Sequence, residues 1–338
     1  MDLEKLIKEY EIPIVQIDHN RKYWLVRTQA GEYYENFYFE NFIAIGWEEF
    51  NDIERFKSTE KQIMIGEIER TYPDYKKPGL LYSQINRFLF ELSLGDVVMI
   101  PSPNSNRISF GIILSDAETV EVRETDIEEG ACPFSKRRKV KWLKTVNREE
   151  LDPYLYKMMH THLTISNATD YAEVIDRTLH SFYIKNGSAH LVLDVKQEND
   201  IPAVDLIDGI NNILDIVPLL INPEDESVDF NKKDVDLKLR VQSPGVIELL
   251  SSNAPWCIIG VGLVLNFVIG GGFKATFTTK TAEVEASSQG LIEKILKLRE
   301  QKNAHQLKEL ELQQTIENLK LQLPEETINL PTNDSEED

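Results

Sequence analysis

Residues 254–272 carry no charged side chain, although the chain as a whole is 28% charged. Their sequence, APWCIIGVGLVLNFVIGGG, needs apolar surroundings, because an exposed apolar stretch of this size is costly in water. The length suits one membrane crossing, and Trp256 suits a membrane interface. Five glycines weaken that interpretation. Burial in a core or an oligomer interface is therefore favoured, with membrane contact through 254–272 as the alternative.

The cysteines and histidines indicate the cellular compartment and exclude the common metal motifs. Cys132 and Cys257 lie far apart and no secretion signal is visible, which predicts a reducing, cytoplasmic location, with membrane association as the alternative. No C-x-x-C, glycine-rich phosphate loop or histidine pair at ligand spacing occurs, so no metal and no cofactor are predicted. His160 and His162 come closest, but a structural or surface role is favoured because no cysteine or carboxylate cluster lies beside them.

The segment Lys22–Trp47 packs nine aromatic residues into 26 positions. Aromatic side chains fill the interior of small barrels, and they also line pockets for flat ligands such as nucleobases. Any single ring belongs more often to a core, and the residues alone leave both interpretations open.

Hydrophobic periodicity predicts several short strands and a few helices over residues 1–150. Strands are expected at 22–28, 42–47, 95–103 and 136–146, helices at 58–71 and 79–92, and a hairpin over 107–124. This pattern predicts a compact α+β, barrel-like domain. Further along, a hairpin turned by Asn186-Gly187, a helix from Pro202 to about Leu220 and a strand at 235–245 are expected.

The order and spacing of several strings are similar to those of a known family. They are YWLVR at 23–27, FIAIGW at 42–47, GLLYSQINRFLFELSLGDVVMIPSP at 79–103, ISFGIIL at 108–114 and RRKVKWL at 137–143. Over residues 20–150 the chain resembles the PUA-like modules of bacterial modification-dependent restriction and phage-defence proteins. The resemblance implies a small β-barrel with flanking helices that holds a nucleobase in an aromatic-lined pocket. The ligand-binding residues it implies are Trp24, Arg27, Tyr33, Phe37 and Trp47.

The densest basic run in the chain lies on the last strand expected in this domain. It comprises Lys136, Arg137, Arg138, Lys139 and Lys141, followed by Lys144. On a strand, Lys136, Arg138 and Val140 share one face and the intervening residues share the other. A net charge of −20 disfavours a global attraction to nucleic acid, so only such a local patch is expected to contact phosphates. The alternative is a charged edge strand that guards against aggregation.

A nuclease site is the rival interpretation. Asp194 and Lys196 in HLVLDVK match the D-x-K half of a metal-dependent nuclease signature. The preceding strand, SFYIKNG, offers no carboxylate to complete a metal site. No catalytic residue is therefore predicted, and the chain is expected to lack enzymatic activity.

A long helical pattern at 289–323 predicts a coiled coil. Apolar residues at four–three spacing are Leu291, Ile295, Leu298, Leu312, Ile316, Leu319 and Leu323, with polar residues in the same register between them. The repeat is therefore broken by a stutter, and self-association is favoured because a free helix of this length is marginal.

These patterns predict an α+β protein built from an N-terminal PUA-like β-barrel with helices, an α+β middle domain and a C-terminal coiled-coil helix. The predicted domains are a sensor at 1–150, the middle domain at 151–222, a strand with the apolar glycine-rich segment at 223–288, the coiled coil at 289–323 and a disordered acidic tail at 324–338. The functional expectation is a bacterial anti-phage defence-type protein that senses a nucleic acid or nucleotide and forms a homo-oligomer. A metal-dependent restriction nuclease and a non-catalytic structural adaptor are the alternatives.

Overall fold

The computed structural model describes residues 14–197, 199–225, 227–240, 245–270 and 302–322, without the side chains of 266–270 and 302–310. The first part of the expected coiled coil, at 289–301, and the expected acidic tail at 324–338 lie outside the described residues.

The chain is mixed α+β and divides into two compact units that are interleaved along the sequence. Residues 20–179 form one, here named the inserted unit. The other, here named the outer unit, joins 14–19 to 180–322 and begins with strand β1, Val15–Ile17. The division at 179/180 falls later than the domain boundary expected at residue 150, because one further strand and two further helices belong with the first unit.

The inserted unit contains a seven-stranded sheet that curls into a half-barrel. Its strands are β2 Tyr23–Val26, β3 Phe42–Ile45, β4 Val97–Pro101, β5 Arg107–Ile113, β6 Glu118–Thr119, β7 Lys136–Asn147 and β8 Ile165–Asn167. The order is β3-β7-β5-β4-β2-β8, with β6 beside β7. The hairpin expected over 107–124 is wrong, because β5 pairs with β4 and β7 whereas β6 pairs with β7.

Short helices surround this sheet. They are α1 Tyr34–Phe39, α2 Ile53–Ser58, α3 Lys61–Thr71, α4 Pro78–Asn86, α5 Glu124–Glu128, α6 Tyr156–Met159 and α7 Ala172–Leu179. A π-helical turn, Arg87–Glu91, continues α4. Turns of 3-10 helix occur at Glu48–Phe50, Pro103–Ser105, Pro153–Leu155 and Thr169–Tyr171.

The core of the inserted unit follows from the strand patterns. All five residues of β4 are buried, as a continuous apolar run in a central strand predicts. Along β7 the buried side chains include Lys136, Arg138 and Val140, whereas Lys139 is exposed. The expected division of β7 into two faces is therefore confirmed, and its inner face carries two cations.

The outer unit contains a six-stranded sheet with helices against it. Its strands after β1 are β9 Phe182–Lys185, β10 Ser188–Val195, β11 Asp236–Arg240, β12 Gly245–Ser251 and β13 Leu321–Gln322, and its helices are α8 Ala203–Leu214, α9 Pro255–Gly270 and α10 Lys302–Leu319. Turns of 3-10 helix occur at Val217–Leu219 and Lys232–Asp234. The strand order is β1-β9-β10-β12-β11, with β13 beside β10. The hairpin at Asn186-Gly187 is confirmed, with left-handed φ values of 51° and 77° at the two turn residues.

Residues 255–270 of the uncharged segment form α9, which packs inside the outer unit. Side chains from Trp256 to Leu263 are buried. Glycines permit the close approach, since a Cβ added at Gly260 would lie 2.7 Å from the Leu220 Cδ1. The favoured interpretation of core burial is confirmed for these residues. Among the described helices, none has the length and apolarity needed to cross a membrane.

The end of the expected coiled coil packs against the same chain. Leu312 and Leu319 of α10 are buried in the core of the outer unit. The Asn212 amide on α8 donates a hydrogen bond of 3.0 Å to the Thr315 hydroxyl. A Cβ added at Gly209 would lie 2.7 Å from the Leu319 Cδ1, so α8 and α10 lie in close contact. A coiled coil between copies stays a prediction.

Candidate ligand-binding site

A cavity of about 730 Å³, open to solvent on one side, lies within the inserted unit. Its surface is formed by the turn 27–30 after β2, residues 46–47 after β3, Phe134 before β7 and the loop 159–164 before β8. These segments lie at the ends of paired strands, because β2 pairs with β8 and β3 pairs with β7. The volume falls within the range of small-molecule sites, roughly 300–1,000 Å³.

The turn after β2 has an unusual backbone. Gln29 and Ala30, which line the cavity, have φ values of 53° and 58°, and Gly31 has 99°. The Thr28 hydroxyl anchors the turn by donating a 2.7 Å hydrogen bond to the Pro101 carbonyl. At Gly31 an added Cβ would lie 2.4 Å from the Pro103 Cα, so only glycine fits. Tertiary contacts therefore hold two non-glycine residues in a conformation that they rarely adopt.

Trp47 is the third non-glycine residue on the cavity surface with a strained backbone. It follows β3 with φ 64° and ψ 60°, the left-handed conformation, which is a genuine outlier for a bulky side chain. Strain of this kind is retained where the surrounding structure enforces it, and it is concentrated at functional sites. Three strained non-glycine residues, Gln29, Ala30 and Trp47, thus lie on one cavity.

Phe134 provides another aromatic surface. Tyr33 supports it with an edge-on contact, at 5.1 Å between ring centroids and 73° between planes. Gly46 lies against the same ring, since an added Cβ would come within 3.1 Å of the Phe134 Cε1. The antiparallel pairing of Ile45 with Lys136 brings Gly46-Trp47 to the residues that precede β7. Two aromatic side chains from distant parts of the sequence therefore share the cavity.

Lys136 holds the Trp47 segment in place. Its fully buried ammonium group donates to the Trp47 carbonyl at 2.9 Å and to the Asn51 Oδ1 at 2.5 Å. Burial lowers the pKa of Lys136 to about 8, although Glu48, 3.9 Å away, and Glu49 oppose the shift. Glu48 also accepts a 2.6 Å hydrogen bond from the Ser135 hydroxyl.

Arg137 and Arg138 also donate to backbone carbonyls. Arg137 donates to the carbonyls of Cys132 and Phe134, both at 2.9 Å. Arg138 is buried and donates to the carbonyls of Phe88, Leu89 and Ser115 at 2.8–3.0 Å. The first two of these carbonyls belong to the π-helical turn, where regular helical hydrogen bonding is interrupted.

The sequence predicts that the basic run contacts phosphates, but the structure buries two of its cations. Lys136 and Arg138 have exposed fractions of 0% and 1%, so neither side chain reaches solvent in this structure. Arg137 is half-buried over the Phe42 ring, 4.1 Å from its centroid. Lys139 is exposed and Lys141 half-exposed, and neither lines the cavity. Lys136 and Arg137 donate hydrogen bonds to the backbone carbonyls of Trp47 and Phe134, the two aromatic residues of the cavity. Arg138 donates to carbonyls of the π-helical turn.

Arg27 holds the loop 159–164, which forms another part of the cavity surface. Its half-buried guanidinium donates through Nη2 to the carbonyls of Met159 and Thr161, which fixes the loop that carries His160 and His162. Desolvation by burial lowers the pKa of Arg27. Both histidines are exposed, and both line the cavity.

The structure brings together only part of the expected ligand-binding set. Arg27 and Trp47 line the cavity, and Tyr33 supports Phe134 from behind. Trp24 and Phe37 lie in the core, with exposed fractions of 1% and 0%. The Trp24 indole N–H donates a 2.9 Å hydrogen bond to the Asp96 carboxylate, so the one polar group of this buried side chain has a partner.

Several cavity residues were missed from the sequence. They are Gln29, Phe134, His160, His162 and Thr164. Phe134 is an isolated aromatic residue before a strand, and only the pairing of β3 with β7 places it beside Trp47. The sequence favours a structural or surface role for the two histidines. Both are exposed, and both lie on the surface of the cavity.

The residues considered for nuclease chemistry lie on and after β10. The Lys196 ammonium forms an ion pair of 3.1 Å with the Asp194 carboxylate. Within the described ranges, no group of three or more histidine, cysteine, aspartate or glutamate side chains is placed to hold a metal ion.

The inserted unit is a mixed α+β module whose curled sheet and adjoining loops form the cavity. Residues 22–168 match a family described as a domain of unknown function (DUF8426). This range contains every segment that lines the cavity. No curated protein and no solved structure matches the chain.

Proposed function

We propose that the inserted unit is a PUA-like sensor module that binds a nucleobase of a nucleic acid or nucleotide. The supporting observation is the cavity itself, which has the aromatic rings of Trp47 and Phe134 beside the polar groups of Arg27 and Gln29. Base–aromatic stacking contributes about 1–3 kcal/mol per base, and side chains such as these can hydrogen-bond to the edge of a flipped base.

Preorganisation also favours a binding role. Trp47, Phe134 and the loop 159–164 are each fixed through backbone carbonyls by a cation, namely Lys136, Arg137 and Arg27 respectively. A site whose surfaces are already fixed loses less conformational entropy on binding. Backbone strain of this kind is typical of binding and catalytic sites, which favours a binding role over a purely structural adaptor.

At the level of the whole chain, the proposed role is that of a non-enzymatic bacterial anti-phage defence protein. Detection by the inserted unit would be coupled to self-association through the C-terminal half. This proposal rests on the resemblance over residues 20–150 and on the leucine spacing of 289–323.

Mass spectrometry of small molecules and nucleic acids released from the purified protein tests the binding proposal. We expect a nucleotide or oligonucleotide to co-purify with the native protein and to be lost from Trp47→Leu. The matched control is Trp142→Leu, since Trp142 lies on β7 and does not line the cavity. Equal recovery of the ligand from the native protein and Trp47→Leu would contradict binding in this cavity.

A further inference from the structure

The ionisable side chains that line the cavity are all basic. They are Arg27, His160 and His162, and none of the described lining residues is an aspartate or glutamate. The whole chain has a net charge of −20 and contains 57 acidic residues, so a lining without carboxylates departs from the composition. Such a local environment favours an anionic or neutral ligand over a cation.

Arg27 is a partly buried cation. Among the described residues no carboxylate pairs with it, and desolvation is the sole cause that lowers its pKa. The guanidinium's hydrogen bonds to the carbonyls of Met159 and Thr161 both use Nη2. A partly buried cation without an anion is costly, and an anionic ligand at the remaining guanidinium N–H groups would offset that cost.

His160 and His162 line the same cavity as Arg27. They flank Thr161 in sequence, and the Thr161 carbonyl accepts a hydrogen bond from the Arg27 guanidinium. An imidazole donates an N–H in either neutral tautomer, and guanidinium groups match the geometry of phosphate oxygens.

We infer that Arg27, His160 and His162 form a phosphate subsite, so that the ligand is a nucleotide unit whose base contacts Trp47 and Phe134. This inference rests on the proposed function, and it moves the phosphate contacts from β7 to the loop 159–164. The shared chemistry is a phosphate attached to a nucleoside, which a free nucleotide or a nucleic-acid strand can supply.

Calorimetric titration of the full-length protein tests the subsite. The probes are ribonucleosides and deoxyribonucleosides of the common and methylated bases, each compared with its own 5′-monophosphate. For the accepted base, we expect the monophosphate to bind about tenfold more tightly than the nucleoside, the size of one charge-assisted hydrogen bond. The double variant His160→Ala/His162→Ala, which removes both N–H donors, should lose most of this preference while its nucleoside affinity is retained.

Two controls separate this inference from its alternatives. Trp47→Leu should weaken nucleoside and monophosphate alike and leave their ratio unchanged. Lys139→Gln removes an exposed cation of β7 that does not line the cavity, and it should change neither affinity. If Lys139→Gln removes the phosphate preference and the histidine variant does not, the phosphate lies on β7 and the subsite is refuted.

The native titrations distinguish failure of the inference from failure of the proposed function. Equal affinity for nucleoside and monophosphate would refute the phosphate subsite and leave base binding intact. If no probe binds, both are refuted. A single-stranded oligonucleotide without a terminal phosphate identifies the source. Tighter binding of the oligonucleotide than of the monophosphate indicates nucleic acid, and the reverse indicates a free nucleotide.

Discussion

The Nζ of Lys136 lies 2.9 Å from the carbonyl oxygen of Trp47 and donates a hydrogen bond to it. One of these residues is a fully buried cation, and the other is an aromatic residue in the left-handed conformation. Neither is favourable alone, since burial of charge and left-handed backbone each cost free energy. Their contact couples the stability of the inserted unit to the geometry of its cavity.

Lys136→Met should change how stability depends on pH. The pKa of Lys136 is lowered from 10.5 to about 8, so between these values the unfolded chain binds more protons than the native protein. The free energy of unfolding therefore rises with pH across this window. From about pH 7.5 to about pH 9.5 the native protein should gain about 2 kcal/mol relative to the variant. Urea unfolding followed by tryptophan fluorescence measures this difference, and parallel pH profiles would contradict the assignment.

Replacement of Trp47 by glycine and by alanine should separate backbone strain from ring contacts. Both variants lose the ring and should lose ligand binding. Glycine accepts φ 64° without strain, whereas alanine does not, so Trp47→Gly should be more stable than Trp47→Ala by about 1 kcal/mol. Chemical denaturation of the two variants provides the comparison. If the alanine variant is at least as stable as the glycine variant, residue 47 does not adopt the left-handed conformation in solution.

Arg138→Met should be far more destabilising than Lys139→Met. The first change leaves three backbone carbonyls without their donor, two of them in the π-helical turn, and should cost about 3 kcal/mol or more. Lys139 is exposed, so its replacement should change stability by less than about 0.5 kcal/mol. Differential scanning calorimetry of the neighbouring variants is the measurement. Similar small effects would place Arg138 at the surface, as the sequence pattern alone suggested.

Replacement of Leu312 should change stability, whereas replacement of Leu291 and Leu298 should change the oligomeric state. Leu312 is buried in the outer unit, so Leu312→Ala should lower the free energy of unfolding by about 2–4 kcal/mol without a change in mass by light scattering. Leu291→Asp with Leu298→Asp should lower the mass if the coiled coil joins copies of the chain. A reduced mass for Leu312→Ala would assign α10 to the intermolecular contact. An unchanged mass for the aspartate pair would refute self-association through this segment.

Local patterns predicted many of the elements correctly. The apolar run at 97–101 and the Asn186-Gly187 turn both lie where the sequence placed them, because strand burial and left-handed turns have strong local signals. Strand β12, Gly245–Ser251, was missed between the strand expected at 235–245 and the uncharged segment. Only Ser251, Ser252 and Asn253 lie between its last apolar residue, Leu250, and Ala254 of that segment.

The cavity was only partly predictable for a different reason. Trp47 and Phe134 are brought together by the register of β3 on β7, which depends on long-range pairing. The cations of β7 gave a clear signal of strand alternation but none about which face is interior. Arg138 faces the interior because the backbone carbonyls of Phe88 and Leu89 need hydrogen-bond donors there. The sequence around β7 contains no signal for carbonyls about 50 residues away.

The interleaved course of the chain has a consequence for folding during synthesis. β1 pairs in parallel with β9, and all of the inserted unit lies between them in sequence. Synthesis passes through residues 20–179 before it reaches β9, so the inserted unit can begin to fold while Val15–Ile17 still lacks its partner. The first strand must then wait for the hairpin β9–β10, and this late, long-range pairing sets the order in which the two units mature.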